Sequence, residues 1–553
     1  MKHAAIECLS SFQNSLSLNR SKHLLILGTG IAGLYLVGQI YVSYKKAQRR
    51  KKWASVEKNM VILHQFERGK FTPNVSPFPL KLETYLRMTG IPYENEFEEP
   101  MGPKGKTPWI TLNGDEIADS QLCMELLARK FHKDCSSHLS PEEQAIARSF
   151  HIMAEEHLYW GLLLWRWVYT KGRTLWQVQC NLPKSLSLTL PLVVKKLKGQ
   201  AQGQGMGLHT EAEVIEMSVK DLRAISNFLG TKQFLMGDKA IEADCAVFGI
   251  LSQLLWNCPG SPFEQLLNGE FNNLKSYCER MKDTFWPDWD RCLNPARILK
   301  TTTKMAAASV GNDLVVLHQL KRGKLTPCIS PFALKLETYL RMAGIPYQND
   351  FEQPMGPKGK TPWITLNGKK IGDSQLCLEL LAETFHKDFS GRLSVEEKAV
   401  ARAFQIMAED HLYWVMLVWR WIYNGGSSLP LIQTDLHFAV RYLRPVVVGR
   451  VKSQASAQGI GRHSQAQVME MGLKDLRAIS HFLGLKLFLM GDQPIEVDCA
   501  IFGMLAQILW NSPGSPYQPL FDGEWINLKM YCHRMKETFW PDWNQCLNPA
   551  QPN

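Results

Sequence analysis

The residues of this chain that could do chemistry come in matched pairs. Ser76 precedes Pro77 and Ser330 precedes Pro331; Ser suits a helix N-cap and Pro the first helical position. A hydroxyl there could donate one hydrogen bond to an anion such as a thiolate, which the helix terminus would also stabilise. It could equally do no more than start the helix. Asp119-Ser120 and Asp373-Ser374 pose the same choice, because Asp and Ser are both good caps and both can hold a polar ligand. His157 follows Glu155 and Glu156, a trio able to bind a metal or exchange protons, although an amphipathic helix with a polar stripe explains it as well. The Trp-rich run Tyr159 to Tyr169 reads as core filling or as the wall of an apolar cleft. Thirteen cysteines are scattered without a C-x-x-C or a His/Cys cluster at zinc spacing, so reduced thiols are expected and no metal site.

The pairing has one cause. The stretch MGPKGKTPWITLNG occupies Met101 to Gly114 and recurs unchanged at Met355 to Gly368, an offset of 254 residues. The same offset relates His64 to His318, Asp119 to Asp373, His157 to His411 and Asp244 to Asp498. Solenoid units repeat every 20 to 50 residues or so. This period is a whole domain pair, present twice.

Ahead of the first copy, His23 to Tyr44 holds 22 residues without a formal charge, long enough for a bilayer core of about 30 Å. Lys45, Lys46, Arg49, Arg50, Lys51 and Lys52 follow at once. The net charge of +11 is therefore partly a local basic collar, which argues against a nucleic-acid-binding body. The positive-inside rule puts the collar and everything after it in the cytosol. Gly28, Gly30 and Gly33 form a literal G-x-G-x-x-G, but no acidic residue closes a second strand near position 50, so the dinucleotide reading fails.

Within one copy, Val61 to Phe66 has the length of a strand, and Leu80, Leu82, Tyr85, Leu86 and Met88 give the helix after Ser76 an apolar face ended by Gly90. Tyr93 to Phe97 and Thr107 to Leu112 read as further strands, the latter with Pro at its entrance. Asn113-Gly114 then turns into a fourth, antiparallel strand, Asp115 to Ala118. A helix over Gln121 to Phe131 completes a βαβ-ββα module. From the capping box Ser140-Pro141-Glu142-Glu143 onward everything reads as helix: a long one to Tyr169, then Lys184 to Lys198 broken by the Gly-rich 199–207, His209 to Leu229, Asp244 to Trp256 and Asn272 to Phe285.

This architecture resembles the glutathione S-transferases. Ser76-Pro77-Phe78 with Leu80 to Met88, then Gly105 to Trp109, Gly237-Asp238 and Asp244, resemble more specifically the failed axon connections family, which is related to metaxins and whose members carry an amino-terminal membrane segment. The fold class so implied is α/β plus all-α: two tandem transferase-like units, each a thioredoxin-like module followed by a helical domain, behind an N-terminal transmembrane helix. The expected boundaries are a tail at 1–22, the anchor at 23–44, the collar at 45–57, copy 1 at 58–133 and 138–295, a linker at 296–312, and copy 2 at 313–387 and 392–553. Met305 lies in the linker, so a tandem protein and two merged neighbouring genes both fit the sequence.

The resemblance also implies roles. Pro108 and Pro362 would be the cis prolines entering the third strand, and Thr107 and Thr361 would hydrogen-bond the peptide backbone of glutathione. Asp119-Ser120 and Asp373-Ser374 would receive its γ-glutamyl end. Ser76 and Ser330 occupy the place of a thiol-activating residue. The family's usual Cys three residues after that Ser is Pro79 in one copy and Ala333 in the other, and the Thr that usually caps the later helix is Ile241 and Ile495. The expectation is thus a membrane-anchored binding or adaptor protein, its body in the cytoplasm, at the mitochondrial outer membrane or an endomembrane. It would have protein partners, no permanently bound cofactor, and glutathione as ligand or co-substrate. A glutathione transferase acting on hydrophobic electrophiles is the alternative, and the two copies could pair within one chain.

Overall fold

The computed structural model describes residues 44, 48, 50, 53, 56–179, 186–293, 315–433 and 438–548. The expected tail, linker and, except for Tyr44, the membrane anchor lie outside the described residues, as does most of the basic collar. Among the described residues no helix is long and apolar enough to cross a membrane. The chain divides into two compact units, one from residues up to His64 together with Ile91–Asp119, the other from Gln65–Gly90 and Ser120 onward.

The first unit is a four-stranded sheet of order β2-β1-β3-β4. β1 (Val61–His64) runs parallel to β2 (Tyr93–Glu96) and antiparallel to β3 (Trp109–Leu112), which pairs antiparallel with β4 (Asp115–Ala118). Asn113 (φ 53°) and Gly114 (φ 92°) both take positive φ in the β3–β4 turn, the demand that Asn-Gly meets cheaply. Burial of Ile62, Trp109 and Ala118 beside Trp53 gives the sheet an apolar face. His64 stacks on Trp109 with ring centroids 3.6 Å apart, its Nδ1 3.0 Å from Glu96 Oε2 and its Nε2 3.0 Å from Thr111 Oγ1. This buried histidine is thus satisfied on both nitrogens.

The second unit holds the helices of copy 1 and the whole of copy 2. Its sheet repeats the order as β6-β5-β7-β8, with β5 at Val315–His318, β6 at Tyr347–Asp350, β7 at Trp363–Leu366 and β8 at Lys369–Gly372. Leu336, Tyr339 and Leu340 of the helix Pro331–Ala343 and Leu378 of the helix Ser374–Phe385 pack with Val315, Leu317 and Ile364 of the strands. The other side of Pro331–Ala343 lies on the helix Glu496–Leu509. Gly503 makes that approach feasible, because a Cβ built there would stand 2.6 Å from Pro331 O. Gly249 does the same in copy 1 against Pro77 O at 2.8 Å.

The helical regions extend the sequence reading and correct it in places. From Pro141 to Tyr169 the chain is continuously helical but widens into π-turns at Met153–Leu158 and Leu164–Tyr169. The helix expected to break at Gly199 runs on from Leu186 to Gln204, since Gly199 and Gly203 each cost a helix only about 1 kcal/mol relative to Ala. His157 is buried rather than part of a solvated stripe: its Nδ1 lies 2.5 Å from Asp221 Oδ2. Asp244 keeps its own half of the capping box of the helix Glu242–Trp256, accepting from Ile241 N and Leu235 N at 2.9 Å each and from Tyr277 Oη at 2.9 Å, while its N–H, which the missing Thr would have met, donates to Ile241 O at 3.0 Å. Burial outweighs those bonds and pushes its carboxyl up to about 6.

Helices of the two copies meet in this unit. Pro141–Ile152 packs on Gln465–Leu483 and, by the internal repeat, Val395–Ile406 packs on Glu211–Leu229. Arg148 donates to Asp475 Oδ1 through Nε (3.0 Å) and Nη2 (2.6 Å); Arg402 does so to Asp221 Oδ1 at 2.9 and 2.7 Å. The remaining oxygens of Asp221 and Asp475 face His157 and His411.

Candidate functional site

The site of copy 2 is built at the ends of its strands. The Thr361–Pro362 peptide is cis and turns the chain just before β7. Thr361 Oγ1 is buried there without a hydrogen-bond partner, an orphan of the kind that a bound polar ligand satisfies. After β8, Asp373 takes φ 93° and caps the helix Ser374–Phe385, its Oδ1 accepting from Gln375 N (2.9 Å) and Leu376 N (3.1 Å). Ser330 caps Pro331–Ala343, accepting from Ala333 N at 3.4 Å. Ser330, Thr361, Pro362, Asp373 and Ser374 all line one cavity of about 370 Å³, at the lower end of the roughly 300–1,000 Å³ usual for small-molecule sites.

Copy 1 supplies the opposite wall. His209 Nε2 stands 3.6 Å from Asp373 Oδ2, and Lys358 Nζ donates to His209 Nδ1 (2.9 Å) and to Glu213 Oε1 (3.0 Å). The two ring nitrogens of His209 thus face Lys358 on one side and the Asp373 carboxylate on the other. Burial alone would raise the Asp373 carboxyl, but His209 and the helix amides outweigh it and hold it well below the usual carboxylate range. The cavity therefore presents a firmly ionised carboxylate beside a helix N-terminus, an arrangement suited to an ammonium and a carboxylate on neighbouring atoms of one ligand.

Behind this surface lies a buried polar cluster. Lys335, almost fully enclosed, donates to Gln375 Oε1 and Glu409 Oε1 at 2.7 Å each, and Gln405 bridges the same two side chains at 2.6 and 2.9 Å. In copy 1 the equivalent Lys81 meets Gln121, Glu155 and His151. There, burial opposes ionisation of Glu155, yet Lys81 and His151 prevail and its carboxyl drops to about 2. Burial pushes Asp410, also on the cavity wall, up to about 6 against the pull of His157, whose Nε2 is 3.9 Å away. Arg420 reaches from the second π-turn of copy 2 to Ile329 O at 3.0 Å and pins the loop that precedes Ser330.

In copy 1, Ser76 caps Pro77–Thr89 by position, without a side-chain bond of its own to the helix, while its N–H donates to Asn74 Oδ1 at 2.9 Å. Ser120 opens the helix Ser120–Phe131 and is buried. The Thr107–Pro108 peptide is cis, Thr107 Oγ1 is buried without a partner, and Asp119 has φ 93° as Asp373 does. His209, Lys335, Glu409 and Asp410 were not singled out as site residues from sequence. Lys358 stood inside the repeated fourteen-residue stretch but carried no mark of its role.

A sheet of this order with a cis proline entering its third strand, followed by a helical region and present twice, defines the class: a tandem protein of glutathione S-transferase fold. Residues 77–172 and 331–426 match the family description "Glutathione S-transferase N-terminal domain", and 219–281 and 472–535 match "Glutathione S-transferase, C-terminal domain". The protein "Failed axon connections" of Drosophila melanogaster is 34% identical over 255 residues, a match that spans 42% of this chain and 60% of that protein. "Isoprene-epoxide--glutathione S-transferase" of Rhodococcus sp. (strain AD45) is 31% identical over 193 residues, 33% of this chain and 81% of that protein. "Metaxin-2" of Mus musculus is 23% identical, covering 44% and 95% respectively. The chain belongs to the glutathione S-transferase family, as a tandem member related to failed axon connections and the metaxins.

Proposed function

We propose that this chain is a membrane-tethered, cytosol-facing adaptor whose copy 2 cavity holds glutathione without turning it over at enzyme rates. The observation that carries the reading is the cavity itself, which gathers Ser330, Thr361, Pro362, Asp373 and Ser374 against His209 of the other copy. Glutathione fits that wall by its chemistry. Its α-ammonium would meet Asp373, its γ-glutamyl carboxylate Ser374 and the helix N-terminus, its peptide Thr361, its glycyl carboxylate Lys360, and its sulfur Ser330.

Occupancy would be felt across the copies, because Asp373 and Lys358 already join copy 2 to His209 and Glu213. That coupling suits a protein whose output is an interface, and the duplication would let one chain serve as its own dimer. The tether rests on the apolar run 23–44 and the basic collar behind it. The alternative, a transferase, is favoured by Ser330 standing at a helix N-terminus, where a thiolate is stabilised. Steady-state conjugation of glutathione to a panel of epoxide and halogenated electrophiles separates the two. Background turnover that Ser330→Ala and Ser76→Ala leave unchanged is expected; turnover at ordinary enzyme rates of about 1 s⁻¹ or more, lost on Ser330→Ala in a folded chain, would establish the transferase.

A further inference from the structure

The duplication supplies an internal control for the surface, and at one place the two copies part ways. In copy 2, Leu485 is 102% exposed, Met530 59%, Ile526 48% and Leu487 46%. The positions equivalent by the 254-residue offset are Thr231, Ser276, Asn272 and Gln233, so copy 1 is polar at all four. The four apolar residues belong to one face. Asn527 Nδ2 donates to Gly484 O at 3.3 Å and Arg534 Nε donates to Leu487 O at 2.8 Å, which straps the loop 484–487 alongside the helix Ile526–Phe539. On that helix Ile526 and Met530 are one turn apart and share a side. Copy 1 uses the same two straps, Asn273 to Gly230 O and Arg280 to Gln233 O, so the backbone frame is common and only the side chains differ.

Lys486, Lys529 and Arg534 flank the apolar tips, as Lys232, Lys275 and Arg280 flank the polar ones in copy 1; where copy 1 carries Glu279 on this helix copy 2 carries His533, and where copy 1 carries Asn268 copy 2 carries Asp522. Lys486 pairs with Glu142 at 2.8 Å and Lys529 with Asp522 at 2.5 Å; both are surface pairs, which are weak and yield to competing anions. Leu485 stands proud at the loop apex, so a second copy would have to meet protruding tips with its own. A face of projecting apolar side chains with Lys486, Lys529 and Arg534 beside them suits the boundary between acyl chains and anionic headgroups.

We propose that this face of copy 2 rests on an anionic lipid surface, the body docking there independently of any ligand in the cavity. The test is carbene footprinting of the intact chain with vesicles of phosphatidylcholine alone or with phosphatidylserine added. Labelling of Leu485, Leu487, Ile526 and Met530 falls several-fold with phosphatidylserine vesicles, while Thr231, Gln233, Asn272 and Ser276 are unchanged. The variant Leu485→Thr, Leu487→Gln, Ile526→Asn, Met530→Ser, which installs side chains copy 1 already carries on the same frame, loses the protection. Vesicles that bind the chain yet leave these four residues fully labelled overturn the proposal while sparing the tether. So does labelling that falls with protein concentration in the absence of lipid, which would mark a contact between two copies. Equal protection by neutral vesicles overturns the role given to charge.

Discussion

Replacing Arg402 by Met tests whether the copies are held by a desolvated charge network. Asp221 is fully buried, with Arg402 Nε and Nη2 on one oxygen at 2.9 and 2.7 Å and His157 Nδ1 on the other at 2.5 Å. At an effective dielectric of about 20, opposite unit charges ~4 Å apart attract by roughly 4 kcal/mol. Removing one partner of a buried pair costs about 3–5 kcal/mol, because the other charge stays behind. His157 softens the loss. Burial would lower its pKa, but Asp221 outweighs that and raises it, with Arg402 among the groups that hold it down. A histidine whose folded pKa lies above its unfolded value stabilises fully below the unfolded value of about 6.5, and that stability is lost as pH rises through the folded pKa. Without Arg402 that folded pKa rises further. Urea denaturation of Arg402→Met is therefore expected to show a loss of about 3 kcal/mol at pH 8 and clearly less at pH 6. A loss under about 1 kcal/mol at pH 8, or one that grows on acidification, would refute the network as described.

Gly503→Ala should cost about 1–3 kcal/mol, read by thermal denaturation, because its Cβ would stand 2.6 Å from the backbone oxygen of Pro331 and neither helix can yield cheaply. Asp410→Asn should stabilise the chain above pH 6 by about 1–3 kcal/mol. A carboxyl raised to about 6 gives stability that is present below its unfolded pKa and lost as pH climbs through the folded one. The variant should therefore flatten the stability profile between about pH 4 and 6, and an unchanged profile would count against the burial of that carboxyl.

Much of the module was legible because its signals are local. Asn113-Gly114 demanded a two-residue hairpin and Ser140-Pro141-Glu142-Glu143 demanded a helix start, and both stand as read, the latter with Ser140 accepting from Glu143 N. The five long helices were found for the same reason, though Gly199 does not end one of them. What sequence could not show is set by contacts distant in the chain. His157 looked like part of a polar stripe because its partner, Asp221, is 64 residues away and the next layer, Arg402, belongs to the other copy. Lys81 and Glu83 sit in an apolar helix face and would be read as surface, yet both are fully buried, one among Gln121, His151 and Glu155 and the other against Arg68. His209 carries no local mark at all; only the meeting of the copies brings it to Asp373.

On the function proposed above, the copy 2 cavity binds glutathione and needs copy 1 to do so. Calorimetric titration of glutathione into the intact chain tests it, with Asp373→Ala and His209→Ala as variants. Binding in the millimolar range or tighter is predicted, with the number of sites per chain falling by one in each variant. No binding by a folded chain, or a site count that neither substitution changes, would contradict it.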